Sequence, residues 1–285
     1  MKIAVCETMA GVGNTLVNRL QYEGCEVVCV EQKDMMLGVA HLQQFFCDAD
    51  AVINLCGDKM LRRWNYRQKE RIYNSRIENT RLIVRAVNGM KQPPSLFITF
   101  TMTNIYDEIE VHDEFSQNFA TDFLGDMCRL WEHEIFRIKP EIRFCILRSG
   151  YILSRNEGLF PKAVRLCKWG FSLKTGKGKQ PVPFIHIDDM LNVVMSCINN
   201  PNMTGIYNLV APQIVTNAEL SAILLKTLKR MAVFRIGSPV LRLFLSEAAA
   251  VVKSGQFVLP QRLLADGFEF MYPTLKEGLK NLVKD

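Results

Sequence analysis

Three short stretches near the beginning of the chain decide the fold: Ile3-Ala4-Val5-Cys6, Gly11-Val12-Gly13 and Val27-Val28-Cys29-Val30. The first and third are apolar runs, typical of buried strands. The glycine-rich stretch between them opens a helix that ends near Gly24, since glycine favours the left-handed turn after a helix. A strand, a glycine turn, a helix and a second strand together predict a βαβ unit of the Rossmann type.

The same alternation continues through the first half of the chain. Apolar runs at Ala51–Leu55, Leu96–Phe100 and Phe144–Leu147 predict strands, and helical spacing over Tyr66–Val87 and Leu124–Ile135 predicts helices between them. Strands that alternate with helices indicate a parallel sheet covered on both faces. We therefore predict an α/β protein, a Rossmann-type doubly wound parallel sheet. Its central strands are expected to carry Ile3, Val28, Ile53, Ile98 and Ile146.

Beyond residue 150 the alternation stops and helix signals dominate. We predict a Rossmann domain over residues 1–153, to which residues of about 183–210 return. The remainder of residues 154–285 is predicted to form a small, mostly helical C-terminal lobe.

Composition excludes several classes of protein. With 48% hydrophobic and 22% charged residues, the 285-residue chain can bury a sizeable core and is not predominantly disordered. Nine cysteines cannot all pair, and they show neither a CxxC pair nor zinc-type spacing. We predict reduced thiols, no metal and a cytoplasmic location. No apolar run is long enough to span a membrane, and a net charge of +6 without interleaved aromatic residues predicts no nucleic-acid partner.

A set of ordered motifs resembles one family of enzymes over nearly the whole chain. They are Asn54-Leu55-Cys56-Gly57, Arg63-Trp64, Asn74-Ser75-Arg76, Asn79-Thr80-Arg81, Trp131-Glu132, Arg148-Ser149-Gly150, Phe184-Ile185-His186 and Tyr272-Pro273-Thr274. The chain resembles the atypical extended short-chain dehydrogenase/reductases, in the sugar-nucleotide-epimerase-like family with a C-terminal domain of unknown function. The resemblance implies a Rossmann domain that binds NAD or NADP and a small substrate lobe.

The resemblance also implies a set of cofactor-binding residues. The family has Gly-x-x-Gly-x-x-Gly where this chain has Glu7, Ala10 and Gly13, so a carboxylate stands where the pyrophosphate would approach. Glu31 would accept hydrogen bonds from the adenosine ribose and favour NAD over NADP, or it is a solvated carboxylate at a strand end. The stretch Glu31–Asp50 is too short for a full helix and a further strand. The implied cofactor residues are Thr8, Gly11, Val12, Gly13, Glu31, Asn54, Leu55, Cys56, Gly57 and Thr99.

The catalytic motif of the wider superfamily is missing where it is expected. Short-chain dehydrogenases transfer a proton through Tyr-x-x-x-Lys, but Phe123–Cys128 contains neither residue. If chemistry survives, Thr101 would polarise a substrate carbonyl and Tyr106 would transfer the proton. The alternative is a threonine-rich strand of ordinary β-propensity followed by a loop tyrosine.

A basic stretch provides candidate substrate residues. Residues 61–91 hold nine Lys and Arg against two Glu. Either they form a solvated helix face, or Arg62, Arg63 and Arg76 hold a small anionic substrate. We also expect Arg148, Ser149 and His186 to meet Tyr106 at the carboxyl ends of the strands, although a lone strand histidine can instead be structural. The sequence leaves the oligomeric state open.

Two functions are compatible with these residues. One is an NAD(P)-dependent epimerase- or dehydratase-like oxidoreductase that acts on a small sugar-like or carbonyl substrate. The other is a catalytically degenerate relative that acts as a ligand sensor or a partner-binding module. The cofactor-binding turn discriminates between them, because only the enzyme requires a dinucleotide there.

The Glu7 carboxylate is predicted to weaken dinucleotide binding. Two like charges about 4 Å apart at an effective dielectric constant of about 20 repel by about 4 kcal/mol. If Glu7 is the main obstacle, Glu7→Gly is expected to tighten the binding of NAD or NADP about tenfold or more, measured by calorimetric titration. If the short connection Glu31–Asp50 or the bulky side chains of Phe100 and Met102 near the nicotinamide dominate, this change alone should have little effect. Low-micromolar affinity of the unchanged chain for either nucleotide would contradict this prediction.

Overall fold

A computed structural model describes the chain over residues 1–6, 12–60, 62–235, 246–248 and 254–283. Its centre is a six-stranded sheet in which each pair of neighbouring strands is parallel. The predicted α/β class with a Rossmann-type parallel sheet is thus confirmed. The described strands are β1 (Lys2–Cys6), β2 (Glu26–Val30), β3 (Ala51–Asn54), β4 (Leu96–Met102), β5 (Val111–His112), β6 (Arg143–Ser149), β7 (Tyr151–Leu153), β8 (Phe171–Ser172), β9 (Phe184–His186), β10 (Gly205–Leu209), β11 (Phe234–Arg235) and β12 (Phe257–Val258).

Helices connect these strands. The predicted helix over Tyr66–Val87 is present as two α-helices joined by a π-helical turn, Asn74–Glu78. Short 3-10 turns lie at Thr103–Ile105 and Ser246–Ala248. The described α-helices are α1 (Val12–Tyr22), α2 (Gln32–Met35), α3 (Val39–Phe46), α4 (Tyr66–Tyr73), α5 (Asn79–Asn88), α6 (Phe123–Ile135), α7 (Phe160–Lys168), α8 (Ile187–Asn199), α9 (Asn217–Thr227), α10 (Gln261–Ala265) and α11 (Leu275–Val283).

The strand order is β10-β6-β4-β3-β1-β2. Ile3, Ile53, Ile98 and Ile146 are fully buried on interior strands, as predicted. Val28 is different, because β2 is an edge strand with partly exposed residues. The connection Glu31–Asp50 explains this: it holds α2 and α3 but no further strand that would cover β2.

Two hydrophobic layers enclose the sheet. On one face Ile3 and Val5 pack with residues of α1 and α8. On the opposite face Ala4 and Val52 pack with residues of α3, α5 and α6. Neighbouring residues of one strand point to opposite faces, so continuous apolar runs are what a sheet covered on both sides requires.

The later part of the chain contributes to the sheet and to small additions around it. β10 extends the main sheet beside β6, and β9 pairs with β7 immediately after β6 ends. The helix after β9 is capped by His186, whose Nδ1 accepts the Asp188 backbone N–H at 3.1 Å. The domain boundaries themselves stay a prediction. Among the described helices, none combines the length and the apolar character needed to cross a membrane.

Two helical glycines should respond in opposite ways to alanine. A Cβ on Gly125 in α6 would stand 2.3 Å from the Ala120 carbonyl oxygen, so backbone has to move. A Cβ on Gly278 in α11 would make only ordinary contact, 3.5 Å from the His186 Cδ2. We expect Gly125→Ala to lower the free energy of unfolding by about 1–3 kcal/mol, and Gly278→Ala to raise it by up to about 1 kcal/mol. Urea denaturation of both variants checks this, and equal effects would contradict the packing at Ala120.

Candidate functional site

The connections of the sheet diverge between β1 and β3, the kind of place where open parallel sheets form a ligand crevice. β1 and β3 are neighbours, but the chain leaves β1 towards α1 on one face and leaves β3 towards α5 on the other. Open parallel sheets bind ligands outside the carboxyl ends of their strands at such a point. The described wall of this crevice is Asn54–Gly57, and residues 7–11 on the β1 side, with Thr8 and Gly11, lie outside the described residues.

Asn54 organises the wall after β3. It is fully buried, and its side-chain amide donates to Thr80 Oγ1 at 2.8 Å and to Thr99 Oγ1 at 3.3 Å. Its Oδ1 accepts the Cys56 backbone N–H at 3.0 Å, which turns the chain sharply after the strand. Trp131 Nε1 completes the network by donating to Thr80 Oγ1 at 2.8 Å. The network fixes the direction of the backbone that faces the crevice.

The other predicted cofactor residues occupy varied surroundings. The Leu55 N–H donates to the Cys6 carbonyl at 2.9 Å, and Cys56 is buried beside it. Val12 and Gly13 begin α1 and are buried. Glu31 lies at the end of β2, where its largely exposed carboxylate is 2.9 Å from Lys33 Nζ. The structure therefore brings Asn54, Cys56 and Thr99 together and leaves Glu31 at the exposed edge of the sheet.

A second polar cluster lies beside β4 and β6. Arg148 and Glu132 are each 3% exposed and form a bidentate pair, with Nε–Oε1 at 2.9 Å and Nη2–Oε2 at 2.7 Å. Arg148 also donates to the Tyr106 phenol oxygen at 2.7 Å, and its guanidinium lies 4.9 Å from the Tyr106 ring centre. Thr101 donates to Glu132 Oε1 at 3.0 Å. The predicted meeting of Tyr106 with Arg148 is present, with Thr101 beside them.

Both predicted catalytic hydroxyl groups are enclosed. The Tyr106 phenol is fully buried and donates to Asn208 Oδ1 at 2.9 Å. Burial raises the pKa of Tyr106 to about 12, although the Arg148 charge opposes the rise. The phenol therefore keeps its proton at neutral pH, and the Thr101 hydroxyl hydrogen is engaged in its hydrogen bond to Glu132. Their catalytic role stays a prediction, and it requires that a ligand or a movement of the 106–122 loop release these hydrogen bonds.

Sequence reasoning missed several members of this cluster. His112 stacks on the Tyr106 ring with centres 4.8 Å apart, and Asn208 joins the phenol to the Leu259 carbonyl at 3.0 Å. Glu114 accepts the Asn208 N–H at 2.9 Å and the Arg262 N–H at 3.2 Å. A local signal existed only for Glu132, within the motif Trp131-Glu132. The others come from loops and strands that are distant in sequence.

The remaining substrate candidates do not share one place. Arg62 and Arg63 are exposed at the surface, and Arg76 is buried behind Gly57. Ser149 Oγ donates to the Gly150 carbonyl at 2.9 Å. His186 is buried in a separate cluster, where its ring stacks on Tyr272 with centres 3.9 Å apart. Within the described part of the chain no group of three His, Cys, Asp or Glu residues could hold a metal ion.

Comparisons with known proteins support one family. A family model described as a domain of unknown function, DUF1731, matches residues 237–282. The human epimerase family protein SDR39U1 is 29% identical and covers 99% of this chain and 100% of its own length. The mouse protein of the same name is 31% identical, with 82% of each chain covered.

Solved structures agree with this similarity. The crystal structure of human SDR39U1 isoform 2 with NADPH superposes with a TM-score of 0.91 at 27% identity and covers 99% of both chains. A nucleoside-diphosphate sugar epimerase from Corynebacterium glutamicum has a TM-score of 0.78 at 24% identity, over 98% of this chain and 57% of its own. The second likeness shows the fold alone.

The Arg148–Glu132 pair is expected to be the most sensitive ion pair of the site. Glu132→Gln leaves a buried guanidinium without a counter-charge, so it should lower the free energy of unfolding by about 3–5 kcal/mol. Glu134→Gln on the same helix is the control. Glu134 is itself buried, but its partners Arg81 and Arg137 are 30% and 56% exposed, so water can solvate them once the counter-charge is lost and a loss of about 1 kcal/mol is expected. Urea denaturation measures both losses, and equal losses would contradict the expected effect of burying Arg148 more deeply than Arg81 and Arg137.

Proposed function

Because the chain belongs to the epimerase family of the SDR39U1 proteins, we propose that it is a nicotinamide-dependent epimerase or oxidoreductase with a small sugar-like or carbonyl substrate. The observation that carries the proposal is the crevice between β1 and β3, walled by the Asn54 network at the point where parallel sheets bind ligands. The family match extends along the whole chain, which favours an enzyme over a sensor or partner-binding module.

The described residues on the two sides of the crevice, around Gly13 and Gly57, are compatible with a dinucleotide. Gly13 at the first turn of α1 leaves bare backbone near a helix N-terminus, which attracts phosphate groups. A Cβ on Gly57 would stand 3.0 Å from Arg76 Nη2, so glycine lets the guanidinium lie close to the backbone at this position. Behind it, Arg76 Nε is buried and lacks a hydrogen-bond partner among the described residues.

The bound cofactor would supply reversible hydride transfer. The chain would orient the reactants: Asn54 holds the Cys56 backbone, and the exposed Arg62 and Arg63 attract an anionic substrate towards the crevice. Thr101 and Tyr106 would polarise a carbonyl and hold a proton once a substrate displaces their hydrogen bonds to Glu132 and Asn208.

Titration of the purified chain with NADH and with NADPH tests this proposal. We expect saturable binding of at least one, measured by calorimetry or by nicotinamide fluorescence. Failure of both to bind at millimolar concentration, also to the Glu7→Gly variant, would contradict the proposed function.

The choice between the two nucleotides is expected to depend on Glu31. Its carboxylate, which is paired only at the surface with Lys33, would repel a 2′-phosphate and accept a 2′-hydroxyl. Glu31→Gln should therefore shift the ratio of affinities towards NADPH by about tenfold, equivalent to about 1.4 kcal/mol. Glu26→Gln, which alters an exposed carboxylate on the same strand, is the matched control and should leave the ratio unchanged. An unchanged ratio in both variants would place the adenosine ribose away from Glu31.

A further inference from the structure

Arg76 occupies an irregular turn within a long helical segment. It lies in the π-helical turn Asn74–Glu78 between α4 and α5, where the Asn79 N–H donates to the Asn74 carbonyl five residues earlier. Such turns insert an extra residue into a helix and are frequent at functional sites. The turn directs a long cationic side chain into the protein, and only 4% of Arg76 is exposed.

The hydrogen bonds of Arg76 go to neutral groups. Nη2 donates to the Asp58 carbonyl at 3.0 Å, and Nη1 lies 3.3 Å from the Ile72 carbonyl and 3.4 Å from Ser75 Oγ. The indole of Trp131 covers one face of the guanidinium at 5.6 Å. Nε has no acceptor in the described part of the chain. The guanidinium is therefore anchored but not neutralised.

Arg148, by comparison, is a buried arginine whose charge a carboxylate neutralises. It is equally buried, and the Glu132 carboxylate takes two of its donors. Burial acts to lower the pKa of Arg148, but Glu132 outweighs burial and the pKa is raised. Burial lowers the pKa of Arg76 to about 10, and the nearby thiols and Asp58 do not compensate. A buried charge without a counter-charge is costly, so proteins retain one where a ligand completes it.

The edge of the Arg76 guanidinium that carries Nε, the atom without an acceptor among the described residues, faces Gly57. The Nε–Cζ–Nη2 edge of the guanidinium lies directly behind Gly57, within 3.0–3.5 Å of where a Cβ would stand. Gly57 belongs to the wall of the crevice, three residues beyond the end of β3. An oxyanion beside this glycine can reach the fork of the guanidinium, which matches carboxylate and phosphate oxygens geometrically.

We propose that Arg76 binds an oxyanion, a carboxylate or phosphate group, of a ligand that lies beside Gly57 in the crevice. This inference rests on the proposed function, because it assigns an anion receptor to the same crevice. The anion belongs either to the dinucleotide or to the substrate, and the chemistry of the contact is the same for both.

The test uses the whole chain with malonate and pyrophosphate as probes, at ionic strength held constant with sodium chloride. Both probes, or one of them, should raise the midpoint of thermal unfolding of the unchanged protein, and calorimetry gives the affinity. Arg76→Met should weaken this binding at least tenfold. Arg85→Met, an exposed arginine on α5, is the matched control and should retain it.

If Arg76→Met does not unfold cooperatively, a variant that keeps the positive charge serves as the test instead. Arg76→Lys keeps a cation but lacks the fork, so its affinity should lie between those of the unchanged protein and the methionine variant. Binding of both probes and both dinucleotides to Arg76→Lys with unchanged affinity would overturn the proposal.

Titration of the same variants with NADH and NADPH identifies the source of the anion. A tenfold loss of dinucleotide affinity in Arg76→Met assigns the oxyanion to the cofactor, whereas a loss confined to malonate or pyrophosphate assigns it to the substrate. Binding of all four ligands to Arg76→Met with unchanged affinity, or binding of none to the unchanged protein, would overturn the proposal. Arg76-dependent binding of a probe without dinucleotide binding would reject the proposed cofactor and retain the anion receptor.

Discussion

The crevice depends on the parallel pairing of β1 with β3. Register between Ile3 and Ala51 places the ends of both strands at one edge of the sheet, while their continuations pass to opposite faces. Chains that diverge in this way form the ligand crevice of open parallel sheets, which lies near helix N-termini. The wall residues Asn54 and Gly57 take their positions from this one constraint.

Two buried arginines near the carboxyl edge of the sheet differ in how their charges are compensated. Around Arg148 each nitrogen of the guanidinium donates to an acceptor, and the cluster joins Tyr106 to Asn208 directly and to Glu132 through Arg148. Such a satisfied network makes a rigid structure. Around Arg76 the acceptors are neutral and one donor lacks a partner among the described residues. An unsatisfied buried donor does not contribute to rigidity in this way. Next to the backbone of Gly57, which has no side chain, it favours a ligand at this position.

The enclosed state of Tyr106 has a consequence for the chemistry. A phenol with a pKa of about 12 is a poor general base at neutral pH, but it can donate a hydrogen bond to a developing negative charge. Arg148 would support that role, because its charge lies next to the phenol oxygen. In the proposed function, proton transfer would therefore depend on how a substrate reorganises the cluster around Tyr106, more than on the phenol alone.

The order of strands and helices could be predicted from local pattern. Apolar runs such as Ala51–Leu55 indicate strands because each residue of a doubly covered strand must be buried, whichever face it points to. The absence of a further strand between β2 and β3 also follows from sequence, since Glu31–Asp50 is too short for a full helix and a strand. The edge position of Val28 was not predicted, because an apolar run looks the same in an interior strand and in a strand covered only in part.

The sequence by itself therefore determined the βαβ beginning and the parallel sheet, and its resemblance to the family made Asn54–Gly57 candidates for the site. Only the tertiary structure decided which charged residues are neutralised. Arg76 and Arg148 look alike in sequence. They differ because Glu132 on α6 reaches Arg148 on β6, while neutral acceptors surround Arg76. Ion pairs between residues distant in the chain depend on distances of a few ångströms, and no local pattern encodes those distances.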